Sequence, residues 1–140
     1  MKILFINSSP NVDGNTAKMT KKFLEGNDYE VLNLVNYKIY SYGQNFDDDQ
    51  FDEVLEKIKK SDLIVMGSPL YWHNMSGLMR NLIDRFYGHV EENEFKGKDL
   101  YFIIQGASPQ KWQIDACDFT INRFASLYGF NYKGLKSNLS

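Results

Sequence analysis

Residues 2–20, KILFINSSPNVDGNTAKMT, decide the fold. Ile3-Leu4-Phe5-Ile6 is an unbroken apolar run, the pattern of a strand covered on both faces, as in a parallel sheet. Asn7 to Gly14 is small and polar, with one proline and one glycine, which is turn chemistry. Asn15 or Thr16 is then placed to cap a helix. The first-turn N–H groups of such a helix have no intrahelical partner, and its dipole is positive at that end. Hydroxyls and free amides at a helix N-terminus make an anion site, most often for phosphate.

The helix that starts there covers about Asn15–Leu24 and stops at Glu25-Gly26-Asn27. Tyr29–Leu34 alternates and reads as a strand nearer the sheet edge. Tyr37–Asp49 has no periodicity and reads as a loop, with Asp47, Asp48 and Asp49 as the acidic first turn of the next helix rather than a metal site. Phe51, Val54, Leu55 and Ile58 share one face of an amphipathic helix over about Gln50–Lys60. Leu63–Met66 is a second buried strand, and Gly67–Asn74, GSPLYWHN, reads as a loop. Ser76 caps a helix whose apolar face is Leu78, Met79, Leu82, Ile83 and Phe86. Leu100–Ile104 is a third buried strand, followed by the polar loop Gln105–Gln110. A helix over about Lys111–Tyr128 carries Ile114, Cys117, Ile121, Phe124 and Tyr128 on one face, and Phe130–Leu135 is a last strand.

Strands alternating with helices predict an α/β domain, a doubly wound five-stranded parallel sheet in the order 2-1-3-4-5, with helices on both faces. Ligands of such sheets sit past the carboxyl ends of the strands, at the switch point between strands one and three. The loops Ser8–Thr16, Ser68–Asn74 and Gln105–Ser108 all follow buried strands, so they converge on that edge. A chain of 140 residues makes one domain, 1–140, with a single core. The net charge of −2, with Lys and Arg scattered, argues against nucleic acid as a partner. Cys117 is the only cysteine, so a disulfide framework and a Cys-rich metal site are excluded. The apolar run at the N-terminus is too short for a signal peptide or a membrane span, and a cytoplasmic protein without a membrane partner is expected.

Several doubly wound ligand sites fail on missing residues. SSPNVDGNT supplies neither G-x-G-x-x-G for a dinucleotide nor Gly-Lys-Ser/Thr for a nucleoside triphosphate. Ile6-Asn7 and Gly67-Ser68 stand where a phospho-accepting receiver needs acidic residues. Cys117 and Arg123 have the spacing of a cysteine-nucleophile phosphatase, but DFTIN between them has no glycine and lies within a helix. At 100° per residue the two side chains leave different faces, and Cys117 reads as a core thiol. What remains is a ligand with a phosphate at one end and a flat ring at the other. Tyr71 and Trp72 offer aromatic faces, or else form an ordinary surface pair. Gln105-Gly106-Ala107-Ser108 is small enough for close backbone approach to a ring edge. His73 reads as a solvent-facing loop residue.

SSPNVDGNTAKM resembles the flavin-phosphate loop of the NADPH-dependent FMN reductase family within the flavodoxin-like fold, of general form G-S-P-R-x-x-x-N-T. GSPLYWHNMSGLMRNLIDR is similar to that family's second flavin loop and the helix after it, and also resembles the matching stretch of the flavodoxin-like NAD(P)H:quinone oxidoreductases. The likeness runs from Lys2 to about Ala107. It implies that Ser9, Asn11, Asn15 and Thr16 hold the phosphate of FMN. It further implies that Pro69, Leu70, Tyr71, Trp72 and Asn74 contact the ribityl chain and ring, with Gln105, Gly106 and Ala107 near the ring's other edge. Many relatives carry a basic residue where this chain has Asn11, and Asp13 adds a negative charge, so Asp13 is expected to point away from the phosphate. Some relatives carry a cysteine cluster where this chain reads YKIYSYG, so no iron–sulfur cluster is expected.

The resemblance implies an FMN-dependent oxidoreductase that takes electrons from NADPH or NADH and passes them to a small acceptor: flavin, quinone, nitro or azo compound. No catalytic side chain is required, because the flavin carries the redox chemistry. A flavodoxin-type electron carrier and a non-catalytic flavin-binding protein are the alternatives. Carriers dock partners by charge and are usually far more acidic than this chain. Relatives commonly dimerise, and Trp112 and Phe119 lie off the main apolar face of the last helix. A homodimer built on the third and fourth helices is therefore expected.

Overall fold

Ile3, Leu4, Phe5 and Ile6 are all buried, and the strand they form is the second of the sheet. The computed structural model describes residues 1–139. Its elements are β1 (Ile3–Asn7), α1 (Asn15–Phe23), β2 (Glu30–Asn33), a 3-10 turn (Leu34–Asn36), α2 (Phe51–Lys59), β3 (Leu63–Tyr71), β4 (Asn74–Met75), α3 (Gly77–Phe86), β5 (Asp99–Gln105), α4 (Lys111–Tyr128) and β6 (Asn131–Ser137). The sheet order is β2-β1-β3-β5-β6, every pair parallel, with β4 hung antiparallel on β3. Without the two-residue β4, this is the doubly wound order 2-1-3-4-5.

Side chains of a strand alternate between faces, and the core divides accordingly. Leu4, Ile6, Ile64, Met66, Phe102 and Ile104 pack under α2, α3 and α4. Ile3, Phe5, Leu63, Val65 and Ile103 pack under α1 alone, against Ala17, Met19 and Phe23. Among the described residues, no helix is long and apolar enough to cross a membrane.

Three local expectations need correction. The first is GSPLYWHN, which is mostly strand rather than loop. Gly67, Ser68 and Pro69 stay in register with Ile103, Ile104 and Gln105 of β5, and Leu70 and Tyr71 pair with Met75 and Asn74 of β4. β1 ends opposite Gly67, so beyond it β3 has a free edge on that side, where a proline is tolerated. Only Trp72 and His73 turn the chain. The second is the cap of α1. Gly14 occupies the N-cap with no side-chain capping bond, and Asn15 and Thr16 are the first helical residues. The third is the acidic run, which precedes α2 instead of forming its first turn. Asp49 Oδ1 accepts from Phe51 N at 2.8 Å and also faces the Arg85 guanidinium, whose Nη2 is 3.3 Å away. Asp48 accepts from Lys38 and Tyr40. The run therefore ties the long loop to α2 and α3, while Asp52 and Glu53 are the acids of the first turn.

Candidate functional site

The carboxyl ends of β1, β3 and β5 are joined by buried hydroxyls. Ser8 N and Ser8 Oγ both donate to Gly67 O, at 2.9 and 2.8 Å, so the first loop leaves β1 still paired with β3. Ser76 Oγ lies 2.9 Å from both the carbonyl and the hydroxyl oxygen of Ser8. The same oxygen accepts from Met79 N and caps α3 as expected, while Ser76 N donates to Ser68 Oγ at 2.8 Å. Ser8, Ser68 and Ser76 are buried, so each satisfied hydroxyl fixes one loop against another. Sequence reasoning did not single out this triad as a unit. Its trace is the repeat of Asn-Ser-Ser-Pro after β1 and Gly-Ser-Pro within β3.

The turn into α1 is shaped by its own side chains. Ser9 N donates to Asn7 Oδ1 at 3.1 Å, and Asn11 N to Ser9 Oγ at 3.1 Å. Gly14 N returns to Asn11 O, and the first helical bond runs from Lys18 N to Gly14 O. The amides of Asn15, Thr16 and Ala17 are therefore the free donors of the first turn. Ser9 is buried beneath them, and Asn11 and Asn15 are exposed at the rim. Thr16 is fully buried and accepts from Gln105 Nε2 at 3.3 Å, which links the helix to the third loop. Asp13 is exposed and lines a hollow on the β2 side with Ala17, Lys18, Lys21 and Tyr29. Gly67 allows this close packing, because a Cβ there would stand 2.8 Å from Phe5 Cε1 and 2.9 Å from Thr16 Cγ2.

The other two loops frame a small cavity of about 260 Å³, lined by Leu70, Trp72, His73, Gly106, Ala107 and Gln113 among others. A Cβ on Gly106 would stand 3.1 Å from Leu70 Cδ1, so a side chain there would crowd the cavity wall. Asn138 closes the peptide of Gly106 from behind: Asn138 Nδ2 donates to its carbonyl at 2.8 Å and Gly106 N donates back at 3.2 Å. Trp72 is almost wholly exposed at 94%, Tyr71 is half-exposed at 45%, and Pro69 is buried in the strand. Asn74 Oδ1 accepts from Met75 N and from the Cys117 thiol. His73 is exposed in the turn, as expected from the sequence, yet it has partners: its Nδ1 meets Gln113 Nε2 at 2.7 Å, and its ring lies 5.1 Å from that of Trp112. Neither Gln113 nor Asn138 was expected at the site.

All twelve residues singled out in the sequence thus lie on the three loops or at their roots, on one edge of the sheet. Ser9, Asn11, Asn15 and Thr16 gather at the N-terminus of α1, and Thr16 meets Gln105. Leu70, Trp72, Gly106 and Ala107 share the cavity, with Tyr71 and Asn74 in the hairpin beside it. Among the described residues, no group of His, Cys, Asp or Glu could hold a metal ion.

Residues 1–121 match the family model for NADPH-dependent FMN reductase. An iron–sulfur flavoprotein of Archaeoglobus fulgidus is 36% identical over 98 residues, which is 61% of this chain and 48% of that protein. YwqN of Bacillus subtilis, provisionally named an NAD(P)H-dependent FMN-containing oxidoreductase, is 29% identical over 126 residues, 79% of this chain and 70% of that one. The chain thus matches about half the length of the first relative and more of the second. Among solved structures, the Trp repressor binding protein from Bacillus subtilis aligns with a TM-score of 0.78 at 26% identity, covering 99% of this chain and 88% of that chain. With this fold, these three loops and this match, the chain belongs to the NADPH-dependent FMN reductase family, on a flavodoxin-like scaffold.

Proposed function

We propose that this protein is an FMN-dependent NAD(P)H oxidoreductase that delivers electrons to a small acceptor such as a flavin, quinone, nitro or azo compound. The observation that carries this reading is the meeting of three strand-end loops on one edge of the sheet, tied by Ser8, Ser68, Ser76 and the Thr16–Gln105 contact. Free first-turn amides stand at one end and an aromatic-edged cavity at the other. FMN has the matching shape, an anionic phosphate on a chain that ends in a flat ring.

The donor set fits the phosphate. The amides of Asn15, Thr16 and Ala17, the hydroxyl of Ser9 and the side-chain amides of Asn11 and Asn15 offer hydrogens to an anion, with no basic side chain in the turn. Asp13 is exposed and lines a hollow with Lys18 and Lys21, whose charges oppose its own. Pro69, Leu70, Tyr71, Trp72 and Asn74 would hold the ribityl chain and one side of the ring, with Gln105, Gly106 and Ala107 at its other edge. When bound, FMN supplies hydride acceptance from a nicotinamide and hydride donation to the acceptor. The chain's own task is to orient the ring, hold its edge and leave one face free for stacking within about 3–3.5 Å. An iron–sulfur cluster is not part of this reading, because a cluster needs several thiolates and this sequence has one cysteine, buried in the core.

The acting unit we propose is a homodimer. Between α3 and α4 lies a hollow of about 590 Å³ lined by Tyr42, Tyr87, Phe124 and Leu127 together with Arg80, Asp84 and Arg123, and Phe119 and Trp112 are exposed elsewhere on α4. An aromatic-rich hollow of this kind marks an interaction surface. Sedimentation at micromolar concentration is expected to give a dimer; monomer alone would contradict this assignment. The cytoplasm, a reducing compartment, suits a chain with one buried thiol and no disulfide.

Steady-state turnover tests the function. FMN-loaded protein should oxidise NADPH or NADH in the presence of a quinone or excess FMN, faster than free FMN does. No gain over free FMN with either nucleotide would leave a carrier or a binding protein.

A further inference from the structure

We propose that His73 is a hydrogen-bond donor, held by Gln113 in the Nε2–H form, that recognises a carbonyl oxygen on a flat conjugated ring held in the cavity beside Gly106. The inference rests on the flavin-dependent reading above and adds to it a residue outside the sequence-predicted set.

The hairpin tip is strained. Trp72 and His73 both have positive φ, 50° and 69°. A two-residue hairpin of this shape is normally made by Asn-Gly or its like. Bulky residues persist there only where the surroundings hold them, and such strain clusters at functional sites. Here α4 does the holding. Gln113 is buried, at 8% exposure. Its Oε1 accepts from Gln110 N at 2.8 Å at the start of α4, so its amide hydrogens are left for His73 Nδ1, 2.7 Å away. An imidazole nitrogen that accepts carries no proton, so the ring proton sits on Nε2.

The ring that carries this donor lines the cavity of about 260 Å³, together with Leu70, Trp72, Gly106 and Ala107. Leu70, Gly106 and Ala107 offer apolar atoms and close backbone to the face of a conjugated ring, Ser108 and Gln113 complete the lining, and His73, exposed at the hairpin tip, offers a donor to an oxygen on the ring's rim. Two sources have that chemistry: the pyrimidine edge of the flavin itself, and the carbonyl of a quinone-type acceptor.

The sequence has two histidines, His73 and His89, which makes the ring proton directly observable. With nitrogen-15-labelled histidine in the full-length protein, at a pH about two units above the usual imidazole range, long-range proton–nitrogen spectra should give His73 as the Nε2–H tautomer. In Gln113→Glu the carboxylate can still accept from Gln110 N but cannot donate to Nδ1, so His73 should switch to Nδ1–H. A Nδ1–H tautomer in the parent protein, or no switch in the variant, overturns the inference even if FMN binds normally. His73→Phe and Gln113→Glu should each weaken one ring carbonyl contact about tenfold, the value of one well-made hydrogen bond. If the flavin is the source, the loss falls on FMN affinity and on the potential of the bound flavin. If the acceptor is the source, it falls on KM for benzoquinone with FMN affinity intact. If neither quantity moves in either variant, the donor role is refuted. A parent protein that shows the Nε2–H form but binds no flavin would instead refute the reading on which it rests.

Discussion

Cys117 shows how burial sets the chemistry of one side chain. Its sulfur is fully enclosed, and burial pushes the thiol up to about 11, only partly opposed by a hydrogen bond from the Met75 backbone. Near neutral pH it should not react with a soluble thiol reagent until the protein unfolds; rapid native-state labelling would contradict that. Because the folded value lies above the unfolded one, the thiol's contribution to stability is complete below the ordinary thiol range. It should be lost as pH rises from about 9 to about 11. Urea titrations across that window should show a decline of about 2–3 kcal/mol that is absent in Cys117→Ala. Ser76 makes a different case, since one buried oxygen serves Ser8 and Met79 together. Ser76→Ala should cost about 1–3 kcal/mol by denaturant unfolding and weaken FMN binding as the first two loops come apart. Full stability would contradict its joining role. These residues also mark what the sequence made legible. The buried identity of Cys117 followed from helical period, and the cap at Ser76 from position. The Ser8–Ser68–Ser76 contacts could not be read, because they join residues 8 and 68 positions apart and depend on the register of β1 with β3.

α1, β3 and the long loop carry the shape of the site at the next scale. The buried strands, the four helices and their order were legible from runs and periods. The extension of β3 through GSPLY was not, because glycine, serine and proline read locally as turn residues and only pairing with β5 overrides them. The N-cap is Gly14, and Thr16 instead lies buried and meets Gln105 of the third loop. Gly67→Ala would drive a methyl into Phe5 and Thr16 at under 3 Å. It should cost about 1–3 kcal/mol, and lift the N-terminus of α1, so FMN affinity should fall more than riboflavin affinity. Equal losses would place the phosphate elsewhere. The Asp49–Arg85 pair anchors residues 37–50 to α3. Burial pushes the Asp49 carboxyl up, but Arg85 and the amides of Phe51 and Tyr40 together outweigh it and hold it below the usual carboxylate range. Its contribution is therefore present above that range and lost as pH falls through the lowered value. Asp49→Ala, which strands a partly buried guanidinium, should cost about 3 kcal/mol and flatten the acid limb of the stability profile. An unchanged acid limb would show that the pair does not titrate with folding.

Across the whole molecule, three helices cover one face of the sheet and α1 alone the other, and the ligand edge lies where the chain reverses direction across the sheet. The proposed oxidoreductase would need no acid or base of its own, only a held flavin with one accessible face. The most direct test is a single turnover. FMN-loaded protein is mixed without oxygen against NADPH, and separately against NADH, in a stopped-flow spectrophotometer. The visible absorption of the bound flavin should bleach in one two-electron phase, faster than for free FMN, and return when a quinone is added. Bound flavin that keeps its colour with both nucleotides, yet bleaches with a chemical reductant, would contradict the oxidoreductase assignment.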